Sequence, residues 1–296
     1  MDHRRLRERL AAQRSAGDSP VPAPTAVPAA DVVAEVDWHA RVAHLRGLIR
    51  ARRQRLEGAV PDLTGPADAS PVAGTVATVR AFEDPAMDLG EAVADGVRQV
   101  ERSWPASPQL PDPGPHGQVC CFDTETTGLR GGAGLWVWMV GALRWTGDRW
   151  RLRQWWLQRP GAETAYLTQV LAELQAGSGP LVSFNGKSYD LPHLGTRLAL
   201  QGWDNPLPSR EHLDLLHLLR RRHGREWPDC RLRTAESRLL GLRRIDDLPG
   251  SEAPRSWRDW LQYGHPRGIG QVLAHNRQDL LSLARLLPLL SEQAAA

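Results

Sequence analysis

The stretch from residue 118 to 158 constrains the fold most, because it contains three short apolar segments separated by turn-forming residues. The first is QVCCFDTET, an apolar run that ends in polar residues. The other two, LWVWMVGALRW and RWRLRQWWLQ, flank Thr146-Gly147-Asp148, which is typical of a β-hairpin turn. These segments predict three consecutive strands.

One further strand and several helices are predicted after this stretch. A helix is expected over about 162–176, and PLVSFN at 180–185 indicates a short buried strand. An Asn-Gly turn then leads to a helix whose first turn holds Pro192. From residue 210 onward we expect mostly helix, ending in a long helix at roughly 268–290. This order predicts an α/β fold with a mixed sheet flanked by helices.

The N-terminal residues 1–117 differ in composition from the rest of the chain. Helices are predicted over 1–17 and 31–57, and the segments 18–30 and 58–72 are rich in proline, glycine and alanine. Residues 73–103 contain a possible strand (GTVATVRAF) and a helix (LGEAVADGVRQVERS), and a proline-rich boundary follows. We therefore expect a largely helical, linker-rich extension over 1–117 and one domain over 118–296.

Composition narrows the class of protein. Hydrophobic residues make up 41% and charged residues 24% of the chain, which indicates a packed core and excludes wholesale disorder. The charged start, MDHRRLRERLAAQ, does not resemble a signal peptide, and no apolar run approaches the ~18 residues of a membrane span. These features predict a soluble, cytoplasmic protein with no membrane partner. The net charge of +3 permits nucleic-acid binding without requiring it.

Two carboxylates end the first predicted strand. Side chains alternate along a strand, so Asp123 and Glu125 project from the same face. Paired carboxylates on a rigid strand suit hard cations such as Mg²⁺ or Mn²⁺. An isolated Asp-x-Glu pair is more often solvated, but the buried strand before it and the Thr-Thr-Gly-Leu turn after it make this pair more specific.

A third carboxylate, Asp190, follows the Asn-Gly turn in SFNGKSYDLP. It suits a helix N-cap, and it also suits a ligand delivered to the end of the neighbouring strand. On the last predicted helix, His275 and Asp279 are four residues apart and share a face. They are either an exposed polar pair or a metal-binding carboxylate beside a histidine that accepts a proton.

Together, these three segments resemble the DEDD exonucleases, which have an RNase H-like fold. Across roughly 118–292 the chain is similar, more narrowly, to the YprB-type RNase H-like domain family. The similarity rests on SFNGKSYDLPHL, HLDLLHLLRR, RRIDDLPG and HNRQDLLSL. It implies metal-ligand roles for four carboxylates and a general-base role for His275; the carboxylates are Asp123, Glu125, Asp190 and Asp279. It also implies two-metal hydrolysis of phosphodiester bonds, with ions about 4 Å apart.

The His275 assignment departs from the family pattern in one respect. In the histidine branch of these exonucleases, four residues usually separate the histidine from the aspartate, whereas three separate His275 from Asp279. Three is the spacing of the tyrosine branch. Either His275 takes the place of that tyrosine, or the helix orients it differently.

Rare residue types are concentrated in the same three segments. Lys187 is the only lysine, and Asn185 and Asn276 are two of the three asparagines. In a chain that otherwise uses arginine, this clustering indicates one site, which Asn185 and Asn276 would line or support. Lys187 could contact a substrate phosphate or be a solvated turn residue. Thr126 and Asp214 complete the set of expected substrate-binding or supporting residues, and Asp214 could equally be a helix-start residue.

Two further features have alternative interpretations. The basic run Arg220–Arg225 could follow a nucleic-acid backbone or be a solvated helix end. The hairpin tryptophans 136, 138, 155 and 156 could stack on bases, but core packing is the favoured interpretation.

The expected function is a metal-dependent 3′–5′ exonuclease acting on single-stranded DNA or RNA ends. One alternative is a nucleic-acid-binding module of the same fold with little or no cleavage. Another is an auxiliary nuclease or adaptor for a helicase or repair partner, with residues 1–117 docking that protein.

Overall fold

The computed structural model of the chain describes residues 77–80, 88–128 and 134–291. Nine strands and six α-helices lie within these residues. The strands are β1 (Ala77–Arg80), β2 (Glu91–Ala94), β3 (Val97–Pro105), β4 (Cys120–Thr126), β5 (Val137–Trp145), β6 (Arg149–Leu157), β7 (Leu181–Ser183), β8 (His212–Asp214) and β9 (Leu242–Ile245). The helices are α1 (Glu163–Gln175), α2 (Asp190–Leu200), α3 (Leu215–His223), α4 (Leu232–Leu239), α5 (Ala253–Tyr263) and α6 (Pro266–Ser291).

Seven strands form one mixed sheet in the order β2-β3-β6-β5-β4-β7-β8. Neighbours from β2 to β4 are antiparallel, whereas β4, β7 and β8 run parallel to one another. Strands β1 and β9 form a separate parallel pair. The mixed sheet flanked by helices confirms the predicted fold class. None of the helices in the described ranges is long and apolar enough to cross a membrane.

Apolar layers cover both faces of the sheet. Strand β5 is buried along nearly its whole length because helices pack on either side of it. One layer includes Tyr166 of α1, Leu198 of α2 and Trp257 of α5, and the other includes Leu219 of α3 and Leu283 of α6. Trp138, Trp155 and Trp156 are fully buried, so the core interpretation of these three tryptophans is confirmed.

The predicted hairpin, the helix at 162–176, the helix after Asn185 and the long last helix are all confirmed. The helix predicted over 89–103 is wrong, since this segment is the hairpin of β2 and β3. Its turn is Asp95-Gly96, a strong hairpin signal in which Gly96 has a φ of 76°. Strand β3 pairs with β6 from Val97 to Pro105, so the sheet includes residues from before the predicted boundary at 117/118.

Two short strands were also missed in the region expected to be mostly helical. They are β8, which completes the parallel side of the sheet, and β9, which leads towards the site described below. The predictions for residues 1–76, including the helices at 1–17 and 31–57, lie outside the described residues.

Candidate active site

The centre of the site lies where strands β4 and β7 diverge. The two strands pair only through Cys120 and Cys121, because β7 ends at Ser183. Farther along β4, the backbone N–H of Thr124 donates instead to Asp190 Oδ1 at 3.0 Å, and the Thr124 hydroxyl donates to the same oxygen. Asp190 is the first residue of α2 and does not cap it. The Asp190 carboxylate therefore binds β4 at Thr124, the residue between Asp123 and Glu125.

The turn from β7 to α2 is built to bring Asp190 back to β4. Asn185 adopts a left-handed conformation with a φ of 71°. A Cβ on Gly186 would lie 2.4 Å from Ser183 Oγ, so only glycine fits there. The carboxylate of Asp214, at the end of β8, accepts from the backbone N–H groups of Asn185 at 2.8 Å and Lys187 at 3.1 Å.

Asp214 thus acts through the backbone, and it also accepts from Leu216 N as the N-cap of α3. The interpretation of Asp214 as a helix-start residue is confirmed, and its expected role in the site stays a prediction. The side chain of Lys187 is exposed beside the turn.

Helix α6 contains the third predicted segment, residues 275–279, and packs on the sheet. The Asn276 side-chain nitrogen donates to Asp123 Oδ2 at 2.8 Å, and its oxygen accepts from Gln154 at 2.8 Å. Asp123, Gly141 and Gln154 are paired neighbours on β4, β5 and β6, so they form a row beneath the helix. A Cβ at position 141 would lie 2.0 Å from Asn276 Oδ1, so glycine allows this close approach.

The pKa values show that the carboxylates interact with one another. Burial, followed by the charges of Asp279, Asp190 and Glu125, raises the pKa of Asp123 well above its usual range. Burial also raises the pKa of Glu125 to about 8; the charge of His275 opposes this rise, whereas Asp279 and Asp190 add to it. The pKa of Asp190 rises to about 6 through burial, although its hydrogen bonds to Thr124 oppose the shift. The site is therefore an acidic cluster in which burial and neighbouring negative charges oppose ionisation of the carboxyl groups.

His275 lies at the edge of this cluster. Its Nε2 is 3.7 Å from Asp279 Oδ2, and its Nδ1 is 2.7 Å from Asp247 Oδ1. Burial lowers the pKa of His275, but the hydrogen bond to Asp247 and the charges of Asp279 and Glu125 outweigh burial and raise it to about 9. In the state described, His275 therefore carries a positive charge at neutral pH.

Asp279 has a second basic neighbour, since Arg244 Nη2 lies 2.5 Å from its Oδ1. The side chains of Arg244 and Asp247 are both 2% exposed. Sequence reasoning assigned neither residue to the site, although both occur in the stretch RRIDDLPG that carried part of the family resemblance. No apolar periodicity marks them, because they belong to a short strand and the turn after it.

Two other supporting residues were also missed by the sequence. Thr124 holds Asp190, as described above, and Tyr189 holds the turn that follows β4. The Tyr189 hydroxyl donates to Gly128 O at 2.8 Å and lies 2.7 Å from Thr126 Oγ1. Thr126 Oγ1 also lies 2.7 Å from Gly128 O, so Thr126 contributes to the turn.

The structure thus brings the predicted residues of all three segments together. It places the four carboxylates and His275 in one interacting group, with Asn276 and Asp214 supporting Asp123 and the 185–190 turn. His212 lies against Phe122, with its Nε2 2.8 Å from Ser183 Oγ. Burial lowers the pKa of His212 to about 4, so it is neutral and helps to support the strand ends.

Exposed arginines are frequent from α3 to β9. They lie on α3, on α4, between these two helices and on β9, namely Arg220, Arg221, Arg225, Arg231, Arg233, Arg238 and Arg243. Of these, Arg233 lies near the site, with its Nη2 4.0 Å from Oδ2 of Asp247, the carboxylate that binds His275. The Trp227 ring stacks on His223 at 4.1 Å and lies beneath Arg238, which joins the end of α3 to α4.

The donor set suits a hard divalent cation. All four carboxylates offer oxygen ligands of the kind that Mg²⁺ and Mn²⁺ prefer, and their mutual repulsion would be relieved by such an ion. In the described part of the chain, no three His, Cys, Asp or Glu side chains already have the arrangement of a formed metal cage.

The fold and the site place the chain in a known class. A sequence profile of the RNase_H superfamily matches residues 120–291, which is more than half of the chain, so the protein belongs to that superfamily. The chain is 40% identical over 166 residues to the "Uncharacterized protein YprB" of Bacillus subtilis (strain 168). The match covers 56% of this chain and only 40% of that protein.

Two solved structures are weakly similar to this chain. The family B DNA polymerase of Pyrobaculum calidifontis has a TM-score of 0.46 and 16% identity, over 60% of this chain and 25% of the polymerase. The structure described as the ExoI/SSB-Ct complex has a TM-score of 0.35 and 15% identity, over 54% of this chain and 44% of that chain.

Proposed function

We propose that the protein is a divalent-metal-dependent nuclease that removes nucleotides from the 3′ end of single-stranded DNA or RNA. The observation that supports this most is the convergence of four carboxylates from β4, α2 and α6: the charges of Asp190 and Asp279 add to the rise in the pKa of Asp123 and of Glu125. A surface that only bound nucleic acid would gain nothing from clustered negative charge next to a phosphate.

Asp123, Glu125, Asp190 and Asp279 would hold the metal, either Mg²⁺ or Mn²⁺, with two ions as the family resemblance implies. When bound, the ions would activate water and stabilise charge on the phosphate and the leaving oxygen. Bound metal would replace the positive charge of His275 beside the carboxylates, so the imidazole would then be neutral. In that state its Nε2, which lies 3.7 Å from Asp279 Oδ2, would accept the proton from the attacking water.

Two basic features would bind the substrate around the acidic centre. Lys187, exposed on the turn that precedes Asp190, would contact a phosphate near the scissile bond. The exposed arginines of α3 and α4 would hold the strand farther from the site, because arginine binds phosphate through paired donors. This division lets the carboxylates face the reacting phosphate while positive charge retains the rest of the strand.

Degradation of 5′-labelled oligonucleotides tests this proposal. Single- and double-stranded DNA and RNA would each be incubated with Mg²⁺, Mn²⁺ or EDTA, with Asp123→Asn as the control for contaminating nucleases. A ladder shortened from the 3′ end, with metal and without the substitution, is the expected result. Binding without cleavage in every metal would contradict the proposal and favour a nucleic-acid-binding module of the same fold.

A further inference from the structure

Strand β9 and the turn after it place two buried charged residues against α6. The Arg244 guanidinium binds Glu236 of α4, with Nε 2.9 Å from Oε2, and its Nη1 lies 3.3 Å from Asp247 Oδ2. Its Nη2 reaches Asp279 Oδ1 at 2.5 Å. One guanidinium therefore joins three carboxylates from α4, the β9 turn and α6.

Asp247 uses its two oxygens in different directions. Oδ2 faces Arg244, whereas Oδ1 lies 2.7 Å from His275 Nδ1. With Nδ1 committed to Asp247, Nε2 is the ring nitrogen directed towards Asp279, 3.7 Å away. A carboxylate bound to one ring nitrogen fixes the rotation of the ring and the chemical role of the other nitrogen.

This network is more than a structural ion pair. Arg244 and Glu236 alone would satisfy each other, and Ser282 of α6 also donates to Glu236. The additional contacts end on Asp279 and His275, one helical turn apart and facing the acidic cluster. The paired donors Nε and Nη2 of Arg244 bind Glu236, which fixes the plane of the guanidinium and so the place where Nη2 also meets Asp279 Oδ1; a lysine would not be fixed in this way.

We propose that Arg244 and Asp247 are positioning residues of the site: Arg244 fixes one oxygen of Asp279, and Asp247 fixes the ring of His275. This inference rests on the proposed function for its catalytic consequence. Its geometric part concerns the affinity of the site for a divalent ion, which is measurable without turnover. Arg244 forms an ion pair with Oδ1 of Asp279, and Oδ2 is the oxygen that lies 3.7 Å from His275 Nε2.

The test uses Arg244→Lys, Asp247→Asn and Asp247→Ala, with Asp204→Asn as the matched control. Asp204 is an exposed carboxylate beyond the C-terminal end of α2, the opposite end of that helix from Asp190. Folding would be checked by circular dichroism and thermal melting. Mn²⁺ affinity would be measured by titrating Mn²⁺ alone, and kcat and KM on a single-stranded oligonucleotide.

Arg244→Lys keeps the charge and removes the fork, so we expect Mn²⁺ affinity to fall about tenfold, as is typical when a residue that orients a metal ligand is lost. Asp247→Ala should lower kcat by about tenfold or more with little change in KM. Asp247→Asn keeps an oxygen that can accept from Nδ1, so it should recover part of that loss. Asp204→Asn should match the wild type in all of these measurements.

Folded Arg244→Lys and Asp247→Ala variants with wild-type Mn²⁺ affinity and kcat would overturn the inference while leaving the proposed function intact. If the wild type binds Mn²⁺ but cleaves nothing, the proposed function fails, and weaker Mn²⁺ binding by Arg244→Lys still supports positioning. If Arg244→Lys does not fold, the two Asp247 variants provide the test. The inference would then be contradicted if both Asp247 variants had the same kcat as the Asp204→Asn control.

Discussion

The side-chain amide of Asn276 donates to Asp123 Oδ2 at 2.8 Å, and this contact depends on the absence of a side chain at Gly141, the residue paired with Asp123 on β5. Asn276 is fully buried and also accepts from Gln154, so both ends of its amide are fixed. The sheet and the last helix are therefore aligned by a polar contact made at the site itself.

Gly141→Ala should misplace Asn276. The new Cβ would lie 2.0 Å from Asn276 Oδ1, so the helix or the amide must shift. We expect a loss of about 1–3 kcal/mol in the free energy of unfolding, as is usual for overpacking, and roughly tenfold lower nuclease activity. Gly134→Ala is the matched control, since its Cβ would meet nothing within 4 Å. Equal activity of the two folded variants would show that Asn276 does not support Asp123.

Asp214→Ala should reduce both stability and activity. The carboxylate caps α3 and accepts from the N–H groups of Asn185 and Lys187, so its loss should cost about 1–3 kcal/mol and loosen the turn before Asp190. Asp229→Ala provides the comparison, because Asp229 accepts in the same way from Arg231 N, at the start of α4. Chemical denaturation and an activity assay per folded molecule would separate the two effects. An activity loss equal in both variants would contradict a specific role for the 185–190 turn.

The stability of the metal-free protein should depend on pH through Glu125. The folded state raises the pKa of this carboxyl from 4.5 to about 8, so it keeps a proton that the unfolded chain has released. Stability contributed by Glu125 therefore falls as pH rises between these two values. Glu125→Gln removes this dependence, and its melting temperature should exceed that of the wild type by a margin that grows from about pH 5 to pH 7.

Thermal melting in EDTA measures this margin. His212, whose pKa is lowered to about 4, contributes the opposite trend equally to both proteins and cancels in the comparison. A margin that stays constant with pH would mean that Glu125 is ionised in the folded protein.

Lys187→Gln should weaken substrate binding and leave stability unchanged. The side chain is exposed, so its proposed contact is with a phosphate. Loss of one such contact should reduce the slope of log affinity against log salt by about 1, with little effect on kcat. Arg149→Gln is a suitable control, because Arg149 is also an exposed cation. It lies at the start of β6, directly after the hairpin turn that joins this strand to β5. An unchanged salt slope for Lys187→Gln would assign this lysine to the solvated turn.

Much of the fold could be predicted because strand and turn signals in residues 118–185 are local. The apolar run before Asp123 and the Thr146-Gly147-Asp148 turn specify strands without reference to distant residues. The hairpin at Glu91–Pro105 was missed because its alanine- and valine-rich sequence also fits a helix, and pairing with β6 selects the strand. Only the Asp95-Gly96 turn signalled it.

The residues gathered at the site could be predicted from chemistry, but those that orient them could not. Carboxylates in three segments indicate a shared centre, whereas Arg244 and Asp247 become visible only when β9 is packed against α6. The role of Thr124 could not be predicted for another reason. Strand β7 ends before it can pair with Thr124, so the backbone N–H of Thr124 is free to donate to Asp190, and the sequence does not show where this pairing ends.

Release of nucleotides from a 5′-labelled single-stranded oligonucleotide, by the wild type and by Asp123→Asn and Asp279→Asn, tests the central claim most directly. Each substitution removes one charge from the acidic cluster and preserves the shape of the side chain, so circular dichroism should show an intact fold. We predict metal-dependent shortening from the 3′ end by the wild type and none by either variant. Cleavage by either variant at the wild-type rate would contradict the assignment of this cluster as the active site.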